Sequence, residues 1–408
     1  MTLLRKISAF FCTAFFCTAF FAAWPAVAQD SKAAPGVSAS QIKIGMHLSM
    51  SGPASFVGQG LKVGIDLAVA EINANGGVNG RKLAYVFVDD RGAPDGGVAA
   101  ARRLVESEEV FLVHGGGTST STVATLPYFS RSPVPYYISL ASDPVITQQF
   151  HKNIYSGATI SQATLAVFIT DFVAGKLKAK KVAMLQCDQG HCIAGAPRLK
   201  GLLESKGLSV SVVTFNSGET DFTGQVYEIK NLKPDVVFIY GLASDTGRLL
   251  PQIRRAGIEA EIVTEIASAD PSVSRVAGRS AEGFYSFWVG GKQVIDDRTG
   301  PMANWLNSLD THKIERPTNT PNLNSMMGYA DVYVLAEAMR LAGTDLTRDN
   351  VINNLDTRIK NFVAGDGPPW TFASAIGLPR TFSSTDHQGN KSAQIVVSRS
   401  GVLKPVKD

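Results

Sequence analysis

Lys181-Val-Ala-Met-Leu-Gln186, Ser209-Val-Ser-Val-Val-Thr214, Asp235-Val-Val-Phe-Ile-Tyr240 and Glu261-Ile-Val-Thr264 are the runs that decide the fold. Each is short, apolar and rich in β-branched residues, as a buried strand requires. Between them, apolar residues recur at helical spacing over 194–206, 225–232 and 245–256. Strand alternating with helix over this length means a parallel sheet covered on both faces. The same alternation runs upstream. Strands are expected over 42–48 (Ile-Lys-Ile-Gly-Met-His-Leu), 83–89, 110–114 and 135–139. A helix carries Ile65, Val69 and Ile72 on one face and stops at Asn75-Gly76-Gly77. Further helices are expected over 98–107, 122–130 and 163–177. Two such blocks predict an α/β protein of two doubly wound lobes. In these sheets ligands sit beyond the carboxyl ends of the strands, so the loops after each strand are where chemistry is expected.

The chain's 408 residues exceed what one core usually supports, in line with two domains. Its first 28 residues read as a signal peptide: Arg5 and Lys6, an apolar run over 7–24, then Pro25 and the small-residue site Ala26-Val27-Ala28. The protein is therefore expected in the periplasm, with a polar, disordered leader over 29–40. No later apolar run is long enough to span a bilayer. There are 39 Lys and Arg against 35 Asp and Glu. No basic cluster forms a phosphate-tracking stripe, which argues against nucleic acid; Lys176-Leu-Lys-Ala-Lys-Lys181 reads as a solvated turn. Beyond the signal, Cys187 and Cys192 are the remaining cysteines, and a close pair in an exported protein reads as a disulfide.

Enzyme motifs are absent: there is no G-x-S-x-G, H-E-x-x-H or G-x-x-x-x-G-K-[ST]. The six histidines are scattered without metal-ligand spacing, so neither a metal nor a cofactor is expected. His114-Gly-Gly-Gly-Thr118 lacks the spacing and the following acid of a dinucleotide loop. The run Gly115 to Thr122 (Gly-Gly-Gly-Thr-Ser-Thr-Ser-Thr) instead combines close backbone approach with hydroxyls leading into a helix N-terminus. Such an end suits a carboxylate, although a Ser/Thr cap is the alternative. Leu140-Ala-Ser-Asp-Pro144 is another small, hydroxylic loop at a strand end. Glu265 directly follows an apolar strand, so it is either solvated or placed for a cationic group. A zwitterion needs both a carboxylate site and such an acid.

Several stretches resemble the periplasmic branched-chain amino acid binding proteins, the receptors of ABC importers. They are Ser49-Met-Ser-Gly-Pro-Ala-Ser-Phe-Val-Gly, the segment from Ile65 to Lys82, Asp221-Phe-Thr-Gly-Gln and Ala277-Gly-Arg-Ser-Ala-Glu-Gly283. Gly328-Tyr-Ala-Asp-Val-Tyr and Thr381-Phe-Ser-Ser-Thr-Asp-His-Gln-Gly-Asn fit as well, so the likeness spans about 41–408. It implies a type I fold with three crossovers, lobe 1 taking 41–157 and 289–365 and lobe 2 taking 158–288 and 366–408. It implies a ligand cleft that closes about a hinge. By the resemblance Thr120, with Ser119 and Ser121 beside it, and Ala141 with Ser142 hold a carboxylate. Glu265 holds the amino group, and Tyr329 closes over the ligand. Where the family usually offers Tyr-Gly this chain has His191-Cys192, a departure that bears on specificity; Tyr240 is either a contact or sheet core.

The resemblance further implies a monomer that docks on an ABC permease and delivers a branched-chain or other hydrophobic amino acid. An aromatic carboxylate, amide or urea-type ligand is the alternative on the same fold, and sensing the alternative to transport. A ligand without an ammonium leaves Glu265 unpaired in a closed cleft. An enzymatic reading rests only on Asp188 and His191, which a Cys187–Cys192 bridge makes part of a structural turn.

Overall fold

The computed structural model describes residues 34–157, 159–289, 298–317, 320–377 and 379–406. The expected signal peptide and the start of the leader lie outside these residues. No helix among them is long and apolar enough to cross a membrane. The strands are β1 (Gln41–Leu48), β2 (Lys82–Asp89), β3 (Leu112–Gly115), β4 (Tyr136–Ile138), β5 (Ile154–Ser156), β6 (Lys181–Cys187), β7 (Ser209–Phe215), β8 (Val236–Tyr240), β9 (Glu261–Thr264), β10 (Tyr285–Trp288), β11 (Gln394–Arg399) and β12 (Val402–Pro405). The helices before β6 are α1 (Ser55–Ala74), α2 (Pro94–Arg102), α3 (Ser119–Phe129), α4 (Val145–Gln148) and α5 (Gln162–Thr170). Those after it are α6 (Gly190–Ser205), α7 (Thr223–Leu232), α8 (Ala243–Arg255), α9 (Pro271–Ala277), α10 (Gly300–Thr311), α11 (Leu323–Leu341) and α12 (Arg348–Arg358).

The strands form two sheets, ordered β2-β1-β3-β4-β5 and β12-β11-β10-β9-β8-β6-β7. The first is parallel throughout, and β6 to β10 repeat its winding, with β7 and β6 in the places of β2 and β1. The antiparallel pair β11–β12 closes one edge of the second sheet. Alternation along the strands explains the double covering. Leu112, Tyr137 and Tyr155 join one apolar cluster, whereas their neighbours Val113, Tyr136, Ile138 and Ile154 join another on the opposite face.

The chain passes between the sheets three times. It leaves the first after β5, returns through α10 to α12, and crosses back to β11. The return is sealed by close helix packing. A Cβ on Gly64 of α1 would lie 1.9 Å from the Ser325 carbonyl oxygen of α11, and one on Gly328 would lie 2.4 Å from that of Leu61. Backbone meets backbone here, so no rotamer change makes room. Gly64→Ala is expected to push α11 off α1 and lower stability by about 3 kcal/mol, the upper end for overpacking, as read by chemical denaturation.

Three expectations change. Residues 34–40 are ordered rather than a loose leader: the Gly36 carbonyl accepts from the Lys43 N–H, and Val37 pairs with Ile42. Helix α6 starts at Gly190, four residues before the expected 194, which puts His191 and Cys192 on a first helical turn and not in a loop. The 380–390 segment, assigned by sequence to the second lobe, lies along the first sheet. His387 O accepts from the Ser156 N–H at 2.9 Å, and the His387 ring stacks on Tyr155 at 3.8 Å.

Candidate functional site

The strand order reverses between β1 and β3 in the first sheet and between β6 and β8 in the second. Loops diverge at such points and leave a crevice. The crevices of the two sheets face one another and share a cleft of about 610 Å³, its open mouth included. Ala54 and Val57 after β1, Gly117 to Thr120 after β3, and Leu140 and Ser142 after β4 line it from the first half. Gln189 and His191 after β6, Leu242 after β8, and Glu265, Ile266 and Ala267 after β9 line it from the second. Thr159 and Gln162 at the first crossing, and Leu323 and Asn324 at the start of α11, complete the wall.

Glu265 is fully buried, and neither carboxylate oxygen has a hydrogen-bond partner among the described residues. The nearest opposite group is His191 Nε2, 3.6 Å from Oε1, which is ion-pair range and too long for a hydrogen bond. A buried carboxylate without hydrogen-bond partners is costly, so this position suits a cationic group. On the opposite wall, the Thr118 side chain does not cap α3. The positive end of the helix dipole lies at the cleft wall through Thr118, Ser119 and Thr120, a setting that suits an anion.

The hydroxyl run 118–122 is largely committed to the protein itself. Ser119 Oγ accepts the backbone N–H groups of Ser142 (3.1 Å) and Asp143 (3.2 Å), tying α3 to the next loop. Thr122 donates to the Thr118 carbonyl at 2.6 Å. Ser121 turns away from the cleft and donates to Asp90 at 2.9 Å, being about 200° round the helix from Ser119. Asp90 is fully buried and also receives His47 Nδ1 (2.7 Å), the Ser49 hydroxyl (2.9 Å) and the Gly92 N–H (2.8 Å). Burial alone pushes its carboxyl upward, but the His47 hydrogen bond and charge and the Gly92 and Ser49 donors outweigh it, holding Asp90 below the usual carboxylate range.

Thr120 lines the cleft, yet its Oγ1 accepts the Gly190 N–H at 3.2 Å, joining α3 of one half to α6 of the other. Thr120→Val keeps the shape and removes the acceptor. It is expected to weaken ligand binding about fivefold, the worth of one ordinary hydrogen bond, in a calorimetric titration.

Of the remaining expected residues, Ser142, His191 and Glu265 line the cleft, whereas Ala141, Tyr240 and Tyr329 do not. Ala141, between Leu140 and Ser142, is buried in the second apolar cluster. Tyr329 lies five residues, about 8 Å of helix, beyond the Asn324 that reaches the cleft. It is buried with its hydroxyl donating to Glu71 at 2.6 Å. Tyr240 is sheet core behind the cleft and donates to Gln162 Oε1, while Gln162 Nε2 donates to Ser142 Oγ at 3.0 Å. Burial foremost, then the charges of Glu265 and Asp143, push the Tyr240 hydroxyl well above its ordinary range, so it stays a neutral donor. Gln162 was missed by the sequence reading, although it sits just past β5, where the strand-end rule directs attention. Leu323 and Asn324 carried no such signal, because α11 follows no strand.

Cys187 at the end of β6 and Cys192 on α6 are disulfide-bonded, with their Cα atoms 5.7 Å apart. Their sulfurs lie close to the His191 ring, with Cys192 Sγ 3.4 Å from Nε2. Bonded to each other, they offer no thiolate to a metal.

A family model described as periplasmic binding protein matches residues 41–401. The chain is 29% identical over 250 residues to the leucine-, isoleucine-, valine-, threonine- and alanine-binding protein of Pseudomonas aeruginosa, covering 60% of this chain and 66% of that protein, just under two thirds of its length. It is 30% identical over 249 residues to the Leu/Ile/Val-binding protein of Escherichia coli K12, covering 60% and 66%. Its fold is similar to that of the leucine-binding protein LivK of Thermotoga maritima, with a TM-score of 0.75 at 21% identity over 90% of this chain and 98% of that one. It is equally similar to LivJ of Streptococcus pneumoniae, solved with isoleucine, at a TM-score of 0.75 and 23% identity over 90% and 100%. Matched along nearly all its described length and wound as these structures are, the chain belongs to the periplasmic binding protein family and has its type I fold.

Proposed function

We propose that this protein is the ligand-binding receptor of an ABC importer, exported by its first 28 residues, and that it takes a small hydrophobic amino acid. The observation that carries the reading is the buried carboxylate of Glu265 in the cleft wall, neither oxygen of which is hydrogen-bonded among the described residues. Bound α-ammonium satisfies it, and the ligand carboxylate goes to the uncapped start of α3 and to Ser142. Ala54, Val57, Leu242, Ile266 and Leu323 supply an apolar surface for the side chain. Relatives named for leucine, isoleucine and valine support the ligand class.

The two sheets then head two lobes, 41–157 with about 298–390 and 159–289 with about 391–406. They swing about the three crossings and meet through Thr120 and Gly190. The receptor acts as a monomer and hands its ligand to a membrane permease. The disulfide fits an oxidising compartment.

A second reading, a carboxylate without an amine, draws on His191, which stands 3.6 Å from Glu265 as a partner from the protein itself. Thermal melting against a panel of amino acids and amine-free carboxylates separates the two. A ligand at a thousand times its Kd stabilises by about 4 kcal/mol, a shift easily read. Shifts with leucine, isoleucine or valine are expected. Shifts only with amine-free carboxylates overturn the ammonium assignment.

A further inference from the structure

We propose that His191 makes ligand binding proton-coupled: its imidazolium and the ligand's ammonium compete for Glu265, so affinity for an amine-bearing ligand falls as the medium acidifies. The inference rests on reading Glu265 as the ammonium site.

The geometry is specific. His191 Nε2 lies 3.6 Å from Glu265 Oε1, and both residues line the cleft. The imidazole is mostly enclosed, 14% exposed, and the next residue, Cys192, is tied to the end of β6 by the disulfide. The ring is therefore held close to the acid. Among the described residues, no lysine or arginine lines the cleft. Histidine is the side chain whose ordinary charge change falls between about pH 5 and 8, and His191 stands against the cleft acid.

The other ionisable groups around it are engaged elsewhere. Asp188, before α6, accepts the Ser217 N–H at 2.9 Å. Tyr240 of β8 stands 6.3 Å away ring to ring and gives its proton to Gln162. Asp143, from the first half, accepts the Val145 N–H at 2.9 Å. Glu265, after β9, remains as the carboxylate within ion-pair distance.

With His191 protonated, Glu265 has a counter-ion and no need of a ligand. With His191 neutral, both carboxylate oxygens await a cation. Two cations beside one carboxylate in a closed, poorly screened cleft repel each other strongly. The ammonium must therefore displace the proton, and by linkage the proton displaces the ammonium equally. An amine-free carboxylate brings no such competitor, so acidification should turn the site's preference toward it.

The test measures affinity for L-leucine and for 4-methylpentanoate, its amine-free analogue, between about pH 5.5 and 8. Wild type and His191→Gln are titrated calorimetrically. For leucine on wild type, affinity should rise by up to about tenfold per pH unit in the acid range and then level. His191→Gln should flatten its own profile, whatever its absolute affinity, and 4-methylpentanoate should show no rise on either protein. As a check that needs no variant, wild-type binding heats in buffers of different ionisation enthalpy should reveal proton release on leucine binding.

A flat wild-type profile, or a slope that persists in His191→Gln, overturns the proton coupling while leaving the ammonium site standing, provided Glu265→Gln still weakens leucine. Failure of leucine to bind at any pH, or full affinity in Glu265→Gln, overturns the ammonium reading and this inference with it.

Discussion

Glu265→Gln is expected to lower affinity for an amino acid ligand at least about 30-fold while leaving the ligand-free protein as stable as wild type, or more so. The two signs have one cause. Truncating one member of a buried, desolvated charge pair typically costs about 2–5 kcal/mol, and each 1.4 kcal/mol is tenfold in Kd. Within the fold, the carboxylate is fully buried with neither oxygen hydrogen-bonded among the described residues. The amide keeps its shape and removes the penalty of burying its charge. Calorimetric titration reads the first effect and thermal melting without ligand the second. A variant that loses both affinity and stability would mark Glu265 as a structural residue. One that loses neither would empty the site of its defining acid.

Asp90→Ala should have the largest effect on the fold, about 3–5 kcal/mol. It strands His47, Ser49, Ser121 and the Gly92 N–H together, and each buried donor left without an acceptor costs about 1–3 kcal/mol. The sign of its pH dependence follows from a folded-state value held below that of the unfolded chain. Asp90's contribution is fully present above the ordinary carboxylate value of about 4 and is lost as pH falls through the depressed one. The gap in stability between wild type and Asp90→Ala should therefore narrow below about pH 4. Denaturation curves at several acidic pH values check it. A gap that persists unchanged in acid would show that Asp90 acts by packing and not by charge. Because Ser121 anchors the first turn of α3, the same variant should also weaken ligand binding.

The fold was legible because its strands are nearly pure apolar runs. β9 falls at the expected 261–264, and β1, β6 and β8 fall within a residue of theirs. β5 was missed: Ile154-Tyr-Ser156 is three residues long, and its pairing with Tyr136, Tyr137 and Ile138 is a tertiary fact. The start of α6 was misplaced because Cys187-Asp-Gln-Gly-His-Cys192 has the look of a loop. In the structure the bridge runs from a strand end to a helix's first turn.

Glu265, His191, Ser142, Thr120 and Ser119, which the loops after strands point to, line the cleft. Ser121 and Tyr329, which the resemblance places at the ligand, do not line the cleft. A hydroxyl's neighbours decide whether it faces ligand or protein, and Asp90 and Glu71, the acids that claim these two, are 31 and 258 residues away in sequence.

By itself, then, the sequence determined the doubly wound α/β layout and the strand ends where a site must lie, because apolar periodicity and the direction of parallel strands are local properties. It also supplied the acid and the cysteine pair. The tertiary structure alone decided which of the hydroxyls are spent within the protein, that Gln162, Leu323 and Asn324 join the wall, and that His191 stands beside Glu265. Those outcomes depend on which distant segments meet across the cleft, and no window of sequence contains both partners.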